Sequence, residues 1–192
     1  MDAITINLNS VQLTEDQFFQ LCVNNRDFRF ERNAQGDLII MPPTGGETGN
    51  KNARITQQLL NWADQDGTGI AFDSSTGFKL PNGANRSPDA AWIPLSRWQQ
   101  LKKEEQQKFL PLCPDFVIEL RSPTDTLKAL QNKMQEYLDN GTELGWLINP
   151  QDQQVEIYRQ NQAVEVLNQP ESLSGETVLP NFQLDLRLIF PQ

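Results

Sequence analysis

Apolar positions recur at helical spacing in three stretches of the chain. TEDQFFQLCVNN sets Phe18, Leu21 and Cys22 on one face, and Thr14 stands three residues before Gln17, a capping-box spacing that predicts a short first helix. In ETGNKNARITQQLLNWADQ, Ile55, Leu59, Trp62 and Ala63 form the stripe of a longer second helix. SPTDTLKALQNKMQEYLDNG predicts a third, with Leu127, Leu130, Met134, Tyr137 and Leu138 buried, Asp125 or Thr124 capping its start and Gly141 closing its end. Between the last two lies LSRWQQLKKEEQQKF, polar enough to predict an exposed helix.

Other segments carry the two-residue period of strands. DFRFERN and DLIIMPP, joined through AQG, predict an antiparallel hairpin in which Phe28 and Phe30 face the core while Arg29 and Glu31 face water. GIAFD and GFKLP predict another strand pair, and DAAWIP a short apolar strand ended by Pro94. PDFVIELRS is apolar on both faces, the pattern of a central strand covered on both sides; ELGWLINP is a second core strand, and QVEIYR and AVEVLN alternate as an outer pair. This order predicts an α/β or α+β fold with helices packed on a mixed central sheet. With 192 residues and no repeat or linker, the expectation is one domain spanning 1–192.

Composition narrows the chemistry more than the fold. Histidine is absent, which removes the usual general base, the usual zinc ligand and the middle member of serine and cysteine triads. Chemistry must therefore come from carboxylates, lysine, hydroxyls or a hard cation. The net charge of -9 argues against a broad basic nucleic-acid grip, yet it is uneven: residues 1–133 carry 14 basic and 16 acidic side chains, residues 134–192 carry 2 and 9. Cys22 and Cys113 show no CxxC spacing and read as buried thiols. No stretch is long and apolar enough to span a bilayer, and the first ten residues lack the character of a secretory leader, so a soluble cytoplasmic protein is expected.

Glu119 stands out because it interrupts the most apolar strand, an expensive place for a carboxylate without a compensating partner. Two readings stand side by side: an ion pair with Arg121 on the same strand face, or a metal ligand. A hard divalent cation is usually held by one or two carboxylates plus waters and phosphate oxygens, which asks for a second acid. Asp115 lies too far along the strand and reads as a strand cap. Asp89, at the start of the DAAWIP strand, is the better partner; it also reads as an ordinary turn aspartate after Pro88. Lys133 borders the buried stripe of the third helix where Lys128 lies on its polar flank, so Lys133 is the candidate amine for holding an attacking water, or else a snorkelling lysine.

SPDAAWIP, then PDFVIELRSP, then a helix containing KMQEYLDNG that runs into GWLINP and a VEIYR strand resembles the Uma-type family of restriction-endonuclease-like proteins, within the PD-(D/E)XK superfamily. The resemblance runs from the hairpin at 26–43 to about residue 168. It implies a restriction-endonuclease-like mixed sheet flanked by helices, and Mg²⁺-dependent (or Mn²⁺-dependent) hydrolysis of DNA phosphodiesters. By position, Asp89 and Glu119 match its metal-binding acids. Arg121 occupies the place of the superfamily's usual strand lysine; arginine stays protonated, and Lys133 matches the helix position that supplies the amine instead. Glu47 corresponds to an additional acid near the metal, and equally suits a helix N-terminus. Residue 48 is Thr where the family often has His, and Tyr137 is a candidate to touch substrate, though its position also fits the core. The resemblance further implies a homodimer, since cutting a duplex takes two sites. Two other classes stay open: a catalytically inactive binding or assembly module that keeps the fold, and a carboxylate-pair hydrolase acting on sugars.

Overall fold

Residues 116–120 and 144–149 are buried at every position, and the fold is arranged around the sheet they centre. The computed structural model describes residues 3–8, 10–11 and 13–190. A six-stranded sheet runs β11-β10-β9-β8-β7-β4. Its members are β4 (Gly69–Asp73), β7 (Ala90–Pro94), β8 (Phe116–Leu120), β9 (Leu144–Asn149), β10 (Gln154–Arg159) and β11 (Glu165–Asn168). Only the central β8–β9 pair is parallel, because α5 (Leu127–Asp139) crosses over between them; the other neighbours are antiparallel. This is the expected mixed central sheet.

One face of this sheet carries Phe116, Ile118, Trp146 and Ile148 against Ile55, Leu59 and Ala63 of α2 (Gly46–Asp66). The chain after β11 completes that layer: Leu173 in β12 (Ser172–Ser174), Leu184 in β13 (Gln183–Asp185), and Leu179 and Phe182 between them are all buried, with the Phe182 ring stacked on Trp146 at 5.9 Å. That cover buries Val155 and Ile157 of β10 while α5 covers Glu156 and Tyr158 on the other face, and β10 pairs with β11 as the expected outer pair, with β11 at the edge. The opposite face presents Val117, Leu147 and Tyr158 to Met134 and Tyr137 of α5. Gly145 lets α5 come close: a Cβ there would lie 2.5 Å from the Met134 Cε.

A second sheet of five strands lies in the order β1-β3-β2-β6-β5: β1 (Ile4–Ile6), β2 (Arg29–Arg32), β3 (Leu38–Met41), β5 (Phe78–Lys79) and β6 (Asn85–Arg86). The predicted hairpin is its β2–β3 pair, with Glu31 opposite Ile39. The expected pairing of GIAFD with GFKLP does not form. Asp73 turns the chain at the end of β4 by accepting from the Ser75 N–H and hydroxyl, β4 pairs with β7, and the short β5 crosses to the other sheet.

The first helix, α1 (Glu15–Asn24), carries the predicted capping box, Thr14 and Gln17 bonding each other's backbone N–H. The stretch 95–109 is two short helices, α3 (Leu95–Gln100) and α4 (Lys103–Gln106), since Leu101 is extended. α5 starts from Thr126 without a side-chain cap, while Asp125 instead accepts from the Ser122 N–H. No helix among the described residues is long and apolar enough to cross a membrane.

Candidate active site

Strand register brings the two acids together. Ala91 pairs with Val117 and Ala90 with Ile118, so one step further in the same register sets Asp89 directly opposite Glu119. Direct cross-strand neighbours have Cβ atoms about 4.5–5.5 Å apart and share a face. Asp89 Oδ2 accepts the Leu120 N–H at 2.8 Å, and its Oδ1 accepts from Asn52 Nδ2 of α2 at 2.7 Å. The aspartate is thus fixed against β8 and α2 at once.

Lys133 comes from α5 onto the same spot. Its Nζ lies 2.8 Å from Glu119 Oε1 and 2.8 Å from Glu31 Oε1. Glu31, on β2, is the buried partner of this lysine that the reading of the sequence missed. The alternation that assigned it to a wet face was right about polarity and wrong about water: Glu31 is 3 % exposed, whereas Phe28 is 56 % exposed. The polar side of β2 is buried because it is paired. Besides Lys133, Glu31 accepts from Arg86 at 3.0 Å and from the Ser87 N–H at 3.0 Å, and Arg86 is pinned from its other side by Glu136 at 2.6 Å. A glutamate three residues from the hairpin's exposed Phe28 carries no sequence mark of such partners.

The remaining candidates fall elsewhere. Arg121 does not pair with Glu119; it reaches Asp152 and Asn149. Asp115 pairs with Arg97 at 2.5 Å. Glu47 lies at the rim of the cleft in the first turn of α2, 78 % exposed and paired with Lys51 at 2.7 Å. Tyr137 is fully buried, in line with its core reading, and its hydroxyl donates to Glu119 Oε1 at 3.0 Å.

Partner counting separates the two glutamates. Both oxygens of Glu31 are engaged, Oε1 by Lys133 and Ser87 and Oε2 by Arg86. For Glu119 both bonds land on Oε1, and Oε2 has no partner among the described residues. Asn52 Oδ1 is likewise buried without a donor. The electrostatics follow. Burial pushes the Glu119 carboxyl up to about 7, Lys133 opposing this while Asp89 and Glu31 add to it. Burial also raises Asp89, against the Leu120 N–H, Lys133, Asn52 and Arg29. For Glu31 burial acts upward too, but Lys133 and Arg86 outweigh it and hold the carboxyl below its usual range. Lys133 is desolvated, yet Glu119 and Glu31 keep its ammonium form favoured.

These groups line a cleft of about 1000 Å³ whose walls are the β2–β3 hairpin, the start of α2, the 122–125 loop and α5. Glu31, Asp89, Glu119 and Glu136 are opposed by Arg86, by Lys133 and, acting on Asp89, by Arg29; Glu119 and Asp89, both raised by burial, are the carboxylates whose charge a cation would relieve. Among the described residues no three acidic or thiol side chains converge on one metal position. A cation here would rest on two carboxylates, with water and substrate oxygens completing its shell, as Mg²⁺ does.

A mixed sheet with two acids on adjoining strands and a lysine on the crossover helix is the arrangement that the resemblance in the sequence implied. The chain belongs to the Uma2 family, described as "Putative restriction endonuclease", whose family model matches residues 15–187. Its fold is that of a crystal structure described as a putative nuclease belonging to DUF820, from Anabaena variabilis ATCC 29413: the two are 21 % identical, with a TM-score of 0.76 over 93 % of this chain and 97 % of the other. No curated protein matches the chain.

Proposed function

We propose that the protein is a Mg²⁺- or Mn²⁺-dependent nuclease that hydrolyses DNA phosphodiester bonds. The observation that carries this reading is a buried, direct cross-strand pair of carboxylates with one oxygen unengaged, met by a lysine amine at 2.8 Å. Asp89 and Glu119 Oε2 are the oxygens that would hold the cation, and the undonated Asn52 Oδ1 beside them suits the same hard, oxygen-seeking ion. When bound, the ion supplies positive charge that polarises a phosphate and acidifies a water. Lys133 holds that water and, as a cation, stabilises charge developing on the phosphate oxygens. Glu31 orients the amine, and Arg86, clamped by Glu136, holds Glu31 in turn. Cutting both strands of a duplex calls for two copies of the chain.

Calorimetry and cleavage assays together test the reading. Wild-type protein takes up one Mg²⁺ or Mn²⁺, and EDTA stops its cleavage of DNA. Asp89→Asn loses cation binding at least tenfold, since it removes one of two charged ligands. Glu47→Ala decides whether the rim acid takes part: an affinity within about twofold of wild type leaves it as a helix-end charge. Absence of both cation uptake and cleavage in the wild type would instead favour a nuclease fold kept as a binding module, and cleavage of sugars that survives EDTA would favour a carboxylate-pair hydrolase.

A further inference from the structure

We infer that Arg29 and the small cavity beside it form a phosphate subsite, taking a phosphodiester of the substrate strand that neighbours the one being cut. The inference rests on the nuclease reading and adds a site to it.

Three basic side chains line the main cleft: Arg29, Arg86 and Lys133. Arg86 and Lys133 are each neutralised by two carboxylates, so neither has charge to spare for a nucleic-acid backbone. Arg29 differs. No carboxylate among the described residues pairs with it, and its single hydrogen bond runs from Nη2 to the backbone carbonyl of Ser74. A guanidinium has five N–H donors, so most of them are left for something that the protein does not provide. The side chain is half-buried and acts on Asp89 only through space, which leaves its unused donors open to an anion.

What lies beside it is shaped for one. A second cavity of about 320 Å³ is lined by Arg29, Thr44, Asn52, Thr56, Asp73 and Ser74, among others, and shares the first three with the main cleft. The hydroxyls of Thr44, Thr56 and Ser74 are engaged by no other described residue. Asp73, the one acid in this lining, keeps its negative charge but is exposed, where water screens it, and its Oδ1 is tied to its own turn by the Ser75 N–H at 3.0 Å and the Ser75 hydroxyl at 2.6 Å. One open guanidinium fork with free hydroxyls around it is the donor set that tetrahedral phosphate takes. Asn52 forms the partition: it lines both cavities and donates to Asp89 at 2.7 Å, so an anion held by Arg29 sits one side chain from the reaction centre. A strand crossing the cleft would place consecutive phosphates at two such points.

The test uses the whole chain and a labelled single-stranded oligonucleotide, with Ca²⁺ replacing Mg²⁺ so that the strand is bound under slow turnover. Arg29→Gln keeps a donor for the Ser74 carbonyl and removes the charge, and a thermal melt checks that it folds. Expected are affinity weakened about tenfold whatever the base sequence, and a slope of log K against log salt that is shallower by about 0.7, the loss of one phosphate contact. Thr56→Val, which leaves Arg29 untouched, weakens binding more modestly without changing the slope. In parallel, inorganic phosphate titrated into wild-type protein shifts the Arg29 Nε–H resonance and saturates. An unchanged affinity and slope in Arg29→Gln, with the wild type still cutting DNA, overturns the subsite and spares the nuclease reading. Saturation of the Arg29 resonance by phosphate in a protein that never cuts a strand upholds the anion site and removes the nuclease. A resonance indifferent to phosphate overturns the subsite.

Discussion

Lys133→Met is expected to lower DNA cleavage by about 10²–10³-fold, the usual cost of removing one preorganised donor aimed at developing charge. The same substitution carries a stability cost that is independent of the chemistry. Lys133 Nζ is shared at 2.8 Å by Glu31 and Glu119, which are 3 % and 4 % exposed, so its removal strands two buried carboxylates. Breaking a buried pair from one side costs about 3–5 kcal/mol. The penalty is greatest near pH 8 and shrinks toward pH 5, where protonation of Glu119 relieves the repulsion. Urea denaturation at the two pH values measures it, beside single-turnover cleavage of the folded variant. A folded Lys133→Met that cuts at the wild-type rate takes the amine out of the mechanism; equal stability losses at both pH values would mean that the carboxylates do not depend on it.

Glu119→Gln gives the opposite pattern: cleavage falls below detection and cation uptake is lost, yet the cation-free protein becomes more stable at high pH. Glu119 sits with its carboxyl raised to about 7 by burial, above its usual value. A raised carboxyl favours the folded state most while it is protonated, so its contribution is present below about pH 4.5 and lost as pH rises through about 7. Asp89, also raised by burial, adds to the same trend, and Glu31, lowered, acts only at the acid end. In EDTA the wild type should therefore lose on the order of 3 kcal/mol between pH 5 and pH 8. Glutamine still accepts from the Tyr137 hydroxyl but cannot ionise, so most of that loss disappears. A variant as pH-sensitive as the wild type would show that Glu119 is not the group responsible.

Much of the fold was written in local pattern. The capping box of Thr14 and Gln17, the α2 stripe of Ile55, Leu59 and Ala63, and the uninterrupted apolar run at 116–118 each specify an element without help from distant residues. The misses share one cause, the identity of a remote partner. QVEIYR and AVEVLN do form the outer pair, but nothing local in QVEIYR shows that the far segment carrying Leu179, Phe182 and Leu184 covers Val155 and Ile157. GIAFD and GFKLP are adjacent in the chain, but a turn built by Asp73 sends them to different sheets. The site behaves alike. An acid in an apolar strand and a lysine bordering a buried stripe are visible one at a time, whereas the Asp89–Glu119 juxtaposition exists only in the register of β7 against β8. Glu31 looked solvated because nothing within its own hairpin announces Lys133 and Arg86 as its partners.

The lysine shared between two glutamates also orders events during folding. Glu119 and Lys133 belong to one strand–helix–strand unit, so their meeting closes a short loop, whereas Glu31 must arrive from the N-terminal hairpin across a much longer stretch of chain. The shorter loop is therefore expected to close first, setting the ammonium beside Glu119 before Glu31 docks. Hydrogen-exchange labelling during refolding is expected to show amides of 116–139 protected before those of 29–32.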